Sequence, residues 1–136
     1  MNAFDSDVLI FAAKPDHPLG PRVLTLFAGK QEEPVGLGSL MLMPEVLTRP
    51  IRTQGAGELK ELTWLLSRLE LLPLDVPTAE LAVAFGAAYG LKPADAVHLA
   101  TAVNAGAERF ITNNQREFSK SITEIEIVYP QDLTAA

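Results

Sequence analysis

The sequence predicts an α/β fold in which a parallel central sheet is flanked by helices as three layers, α/β/α. Three observations carry that prediction. Apolar runs of strand length alternate along the chain with longer segments of helical periodicity, which is the pattern of βαβ units. The 136 residues, 48% of them hydrophobic, are enough to bury a core without a staple, and residues 1–136 read as one small domain. Cysteine is absent, so neither a disulfide framework nor a thiolate zinc site stands in for that core.

The elements follow in order. Ala3-Phe4 ends a short first strand, and a helix is expected from about Asp7 to Ala13. A second helix is expected over Arg22 to Ala28. Val35 to Gly38 reads as a short buried strand, with Ser39 as N-cap of a helix over Leu40 to Leu47. Leu59, Leu62, Leu66 and Leu69 form one apolar stripe, which predicts a helix over Glu58 to Leu69. Leu71 to Leu74 is a candidate strand. Thr78 to Tyr89 is an alanine-rich helix closed by Gly90, and the next helix opens at Pro93 and closes at Gly106. Arg109 to Thr112 is strand-like, and Asn114 to Glu117 has capping-box spacing. Ile125, Ile127 and Tyr129 alternate with Glu126 and Val128 in a last strand ending at Pro130. Pro, Gly and charges cluster in looser stretches at Lys14 to Pro21, Gly29 to Pro34 and Arg49 to Gly57.

Charge narrows the function. Eleven Lys and Arg stand against 17 Asp and Glu, a net charge of −6, which argues against holding nucleic acid by bulk electrostatics. The start has no basic region followed by an apolar stretch, and the longest apolar run, Leu81 to Leu91, is short of a membrane span. A soluble, cytoplasmic protein is expected. His17 and His98 are far apart and form no local ligand pair.

Parallel sheets place their sites at the carboxyl ends of strands, near a topological switch point. Three acids fit that rule. Asp5 directly follows the first strand, Glu45 interrupts an apolar helix, and Asp95 sits in the first turn of a helix built of Ala, Val, Leu and Thr. Each also has a structural reading: Asp5 or Asp7 as a cap, Asp95 as a complement to the helix dipole, Glu45 as a solvent-facing residue. Converging carboxylates repel one another unless something neutralises them. With no Cys and no His pair, a hard cation such as Mg²⁺ (or Mn²⁺) is the natural partner.

The motifs around these acids carry a resemblance. Asp5-Ser6-Asp7-Val8-Leu9-Ile10 resembles the opening D-[ST]-x-V-L-I motif of PIN-domain ribonucleases, especially the VapC-like toxins of type II toxin–antitoxin systems. Ser39 to Glu45 resembles the second motif, and Asp95-Ala96-Val97-His98-Leu99-Ala100-Thr101-Ala102 is similar to the third, D-A-x-H-x-A-x-A. Phe110-Ile111-Thr112-Asn113-Asn114, followed by Phe118, is similar to the fourth, T-x-D then Phe. The match runs in the family's order over nearly the whole chain.

The resemblance implies that Asp5, Glu45 and Asp95 are the catalytic and metal-binding carboxylates, supported by Ser6 and by Asn114, which stands where many members have a fourth Asp. Asp7 or Glu117 could supply the missing charge, while His98 reads as a packed helical residue. The implied activity is Mg²⁺-dependent cleavage of RNA, leaving a 3′-hydroxyl and a 5′-phosphate. Lys14, Arg49, Arg52 and Arg116 flank the motifs as candidate phosphate contacts. The implied partners are a small antitoxin and a second copy in a homodimer, with no membrane. The competing reading is a PIN-fold binding module that has lost catalysis with the change at Asn114. A phospho-receiver domain would need an acceptor Asp near the chain's middle, and Arg49 to Gly57 holds none. A dinucleotide site would need a third glycine where Met41 stands.

Overall fold

The structure, a computed structural model, describes residues 1–29 and 33–134. Among these residues five strands form one parallel sheet: β1 (Asn2–Phe4), β2 (Gly36–Ser39), β3 (Leu69–Leu72), β4 (Arg109–Ile111) and β5 (Glu126–Val128). Their spatial order is β3-β2-β1-β4-β5, so the chain winds outward one way from β1 and then returns to its other side at β4. The switch point therefore lies between β1 and β4, where Asn2, Ala3 and Phe4 pair with Arg109, Phe110 and Ile111.

Among the described residues, six α-helices cover the sheet: α1 (Ser6–Ala12), α2 (Gly20–Leu24), α3 (Leu42–Arg52), α4 (Ala56–Ser67), α5 (Val76–Tyr89) and α6 (Pro93–Asn104). Strand alternation sends neighbouring residues to opposite faces. Phe4, Ile111 and Val128 join Val8, Leu9, Leu42, Val46, Leu62 and Leu65 in the core under α1 to α4. Ala3, Leu37, Phe110 and Ile127 join Phe85, Ala96, Leu99 and Phe118 under α5 and α6. This is the predicted three-layer architecture. No described helix is long and apolar enough to cross a membrane.

Close strand approach is built in at Gly36. A Cβ there would lie 2.6 Å from the Asn2 carbonyl oxygen and 2.6 Å from a Phe4 ring carbon, so a methyl group forces backbone or ring to move. Gly36→Ala is expected to destabilise the fold by about 1–3 kcal/mol. An unchanged urea midpoint would refute that packing.

Several element boundaries differ from the sequence expectations. The Ser39 helix starts later and runs further, as α3 over Leu42–Arg52 with Met41 at its N-cap. Ser39 instead ends β2, and its hydroxyl accepts from the Met41 N–H at 3.1 Å. The stretch from Arg49, expected to be loose, is helical to Arg52, with Pro50 inside the helix and buried against the core. Burial of Leu42, Val46 and Pro50 on one face outweighs the hydrogen bond that Pro50 cannot donate. Leu69, assigned to the leucine stripe, starts β3. Asn114 to Glu117 forms a turn, not a helix, although Asn114 Oδ1 does accept from the Glu117 N–H at 3.3 Å. Gly90 closes α5 in the left-handed region at φ 66°, as expected. Part of the Gly29 to Pro34 stretch lies outside the described residues.

Candidate functional site

The carboxyl ends of β1 and β4 open side by side at the switch point, and Asp5 and Thr112 are the residues that leave them. Asp5 is 4% exposed. Its Oδ1 accepts from the Ser6 N–H at 2.8 Å and its Oδ2 from the Thr112 hydroxyl at 2.8 Å. Thr112, fully buried, receives the Asn114 N–H at 3.1 Å on the same oxygen. Asp5 thus caps α1, as its structural reading held, and is also locked across the switch point to β4.

Burial raises the Asp5 carboxyl above its ordinary value of 3.8, against the opposing effects of His98, Thr112 and Ser6; the Glu45 charge adds to the rise. Asp7 lies one step into α1. Its Oδ2 accepts from the Asn113 N–H at 3.1 Å, whereas its Oδ1 is buried with no hydrogen-bond partner. Burial, followed by the charge of Asp5, pushes Asp7 up to about 7; the Asp95 charge adds to it. Asp95, in the first turn of α6, is raised by burial and then by the charges of Asp5, Glu117 and Glu45. These shifts have one physical content: each acid is withdrawn from water to some degree and feels the charge of at least one other.

His98 and Glu45 complete the cluster. One turn beyond Asp95 on α6, His98 is 2% exposed, so it is packed as expected, but its ring Nε2–H also meets Glu45 Oε1 at 2.5 Å. Burial works against a charged His98, yet the Glu45 hydrogen bond and the charges of Asp5, Glu45 and Asp95 outweigh it and raise its pKa above 6.5. Glu45 stands on α3, so this contact ties α3 to α6 over the end of the sheet.

Asp5, Glu45 and Asp95 are therefore brought to one end of the sheet. Ser6 contributes its backbone N–H to Asp5, while Asn114 spends its side-chain oxygen on the turn. Asp7 and Thr112 are the members that the motif reading leaves out of its principal set. Their signal is a second acid two residues after the strand and a hydroxyl at the end of an apolar one. Among the described residues, no three of these side chains are yet drawn close enough to hold an ion between them. The donor set nevertheless suits a hard divalent cation: all-oxygen carboxylates, mutually raised, with one buried oxygen unsatisfied.

Comparison with known proteins identifies the family and the fold. The family described as PIN domain matches residues 4–121. No curated protein matches the chain. Among solved structures, a toxin–antitoxin complex from Klebsiella pneumoniae is similar at 25% identity and a TM-score of 0.66, over 96% of this chain and 98% of that one. VapBC2 from Rickettsia felis, bound to a DNA fragment from its promoter, is similar at 16% identity and a TM-score of 0.71, over 94% and 97%. The latter likeness concerns the fold alone.

Proposed function

The chain belongs to the PIN domain family, and from that premise we propose that it is a Mg²⁺-dependent endoribonuclease, the toxin of a toxin–antitoxin pair. The observation that supports this best is the repulsive acid cluster at the switch point, with Asp7 Oδ1 buried and unpaired. Asp5 and Asp95 would hold Mg²⁺ or Mn²⁺, with Glu45 direct or through water. When bound, such a cation polarises a phosphoryl oxygen and makes a coordinated water more acidic.

The chain's own residues do the positioning. Ser6 N–H and the Thr112 hydroxyl fix both oxygens of Asp5 in one orientation. The Asn113 N–H holds Oδ2 of Asp7 and leaves the buried Oδ1 unpaired. His98 holds Glu45 over the cluster and offsets part of its charge. Asn114 supports Thr112 through its backbone. Thr112→Val should leave Asp5 Oδ2 short of a donor and lower the cleavage rate by about 10- to 100-fold, as loss of an orienting partner does. A rate within about twofold of wild type would remove Thr112 from this role.

The toxin–antitoxin complex at 25% identity supports an antitoxin as partner; in this reading the antitoxin is small and places a basic side chain in the acidic cleft, and the protein works as a homodimer in the cytoplasm. The test is incubation of purified protein with total RNA in Mg²⁺, Mn²⁺ or EDTA, with the cut ends mapped. Metal-dependent cuts leaving 3′-hydroxyl and 5′-phosphate ends are expected. The engaged oxygen of Asn114 favours one second reading, a PIN-fold binding module without catalysis. Antitoxin binding with no cleavage in either metal would establish that reading instead.

A further inference from the structure

Beside the acid cluster, α3 carries a second polar feature. Glu45, Thr48, Arg49, Arg52 and Thr53 line a surface hollow of about 480 Å³. Their spacing of three, one, three and one places them along one side of the helix and its C-cap, flanking the buried Leu42, Val46 and Pro50. Glu45 belongs to both features, since it lines this hollow and bonds His98 at the cluster. The hollow is thus continuous with the candidate site. At 1.5 Å rise per residue, Arg49 stands about 6 Å and Arg52 about 10 Å along the helix from Glu45.

Most of the other described cations are placed differently, the exposed Lys92 and Arg116 excepted. Arg22 donates to the carbonyls of Gln131 and Leu133, Arg109 to Asn2, and Lys120 to Asp132; Arg68 is engaged as well. Lys14 and Lys60 line hollows that contain Glu61. Arg49 and Arg52 are exposed, and among the described residues neither forms an ion pair. Both threonine hydroxyls donate inward, Thr48 to the Pro44 carbonyl at 2.6 Å and Thr53 to the Arg49 carbonyl at 3.0 Å. The two guanidinium groups are therefore the hollow's free donors, and their planar forks suit phosphate oxygens.

We infer that Arg49 and Arg52 form a subsite for the RNA backbone, binding the phosphates that lie next to the scissile one along α3. The inference rests on the nuclease reading and deepens it by giving the substrate a direction: the strand leaves the acid cluster past Glu45 toward the C-terminus of α3. An acidic protein needs such a local device, because its net charge of −6 otherwise repels the substrate. The bland alternative is that the arginines only complement the negative end of the α3 dipole.

The test compares wild type, Arg49→Gln/Arg52→Gln and Arg49→Lys/Arg52→Lys, by cleavage kinetics in Mg²⁺ and by binding of a labelled single-stranded RNA of about 12 nucleotides in EDTA. Loss of two phosphate contacts should flatten the salt dependence by about 1.4 in log–log slope, or about 25-fold in affinity at 0.1 M salt if the difference vanishes near 1 M. KM should rise with kcat nearly unchanged, and the Lys pair should recover most of the slope. A Gln variant with wild-type slope and KM overturns the subsite, as does a loss confined to kcat or to melting temperature. Polyglutamate competing as well as RNA would overturn it in favour of an acidic protein partner. Wild type that neither cleaves nor binds RNA overturns the nuclease reading itself.

Discussion

Asp5→Asn and Asp95→Asn are each expected to abolish metal-dependent RNA cleavage, by more than the roughly 100-fold that loss of a supporting residue costs. The same variants should melt no lower than wild type in EDTA. Asparagine is as good a helix cap as aspartate, so the amide oxygen introduced by Asp5→Asn can still accept from the Ser6 N–H. In Asp95→Asn the lost dipole interaction is worth about 0.3–1 kcal/mol. Against it stands relief of the repulsion from Asp5, Glu117 and Glu45 that, after burial, raises Asp95. Mg²⁺ should then separate the two roles. Bound at about 100 times its dissociation constant it would stabilise wild type by about 2.7 kcal/mol, and either variant by much less. Variants that still cleave but unfold more easily in EDTA would show that both acids serve only as caps.

The distinction matters because sequence patterning reaches these two acids by position, and position alone does not separate a cap from a ligand. Asp5 does cap α1, so the structural reading is correct as far as it goes. What a linear pattern cannot express is that Thr112, more than a hundred residues away in the chain, becomes its neighbour when β1 and β4 pair. The same holds for Glu45 and His98: their contact exists only because α3 and α6 both reach over the end of the sheet. The alternation of strands and helices, the helix stops at Gly90 and Gly106 and the order of the motifs are all legible, since each is a local property. The run of α3 through Pro50 is not, because a proline read locally marks a break, while burial of Leu42, Val46 and Pro50 on one face is a tertiary gain.

Asp7 reads in sequence only as a cap or as spare charge, and it yields the second large effect. In EDTA, wild-type stability is expected to fall as the pH rises from about 4 to about 7, by up to about 4 kcal/mol from this residue. The sign follows from proton counting. Asp7 titrates near 7 when folded and near 3.8 when unfolded. Between those values the unfolded chain has released a proton that the folded chain keeps, so each step up in pH favours unfolding. Above about 7 both states are ionised and the loss levels off. Asp5 and Asp95, also raised, act in the same direction. So does His98, whose raised folded value makes its contribution fade as the pH climbs past 6.5. Asp75, Glu108, Glu124 and Asp132 are lowered, so their stabilisation is complete above the ordinary values of 3.8 and 4.5 and does not mask the fall. Asp7→Asn should remove most of the slope in urea midpoints measured across this range, and Mg²⁺ near neutral pH should restore the wild type. Stability that is flat or rises with pH in the metal-free wild type would mean that Asp7 is not held in this buried, repulsive setting, and the electrostatic case for a cation at the switch point would fall with it.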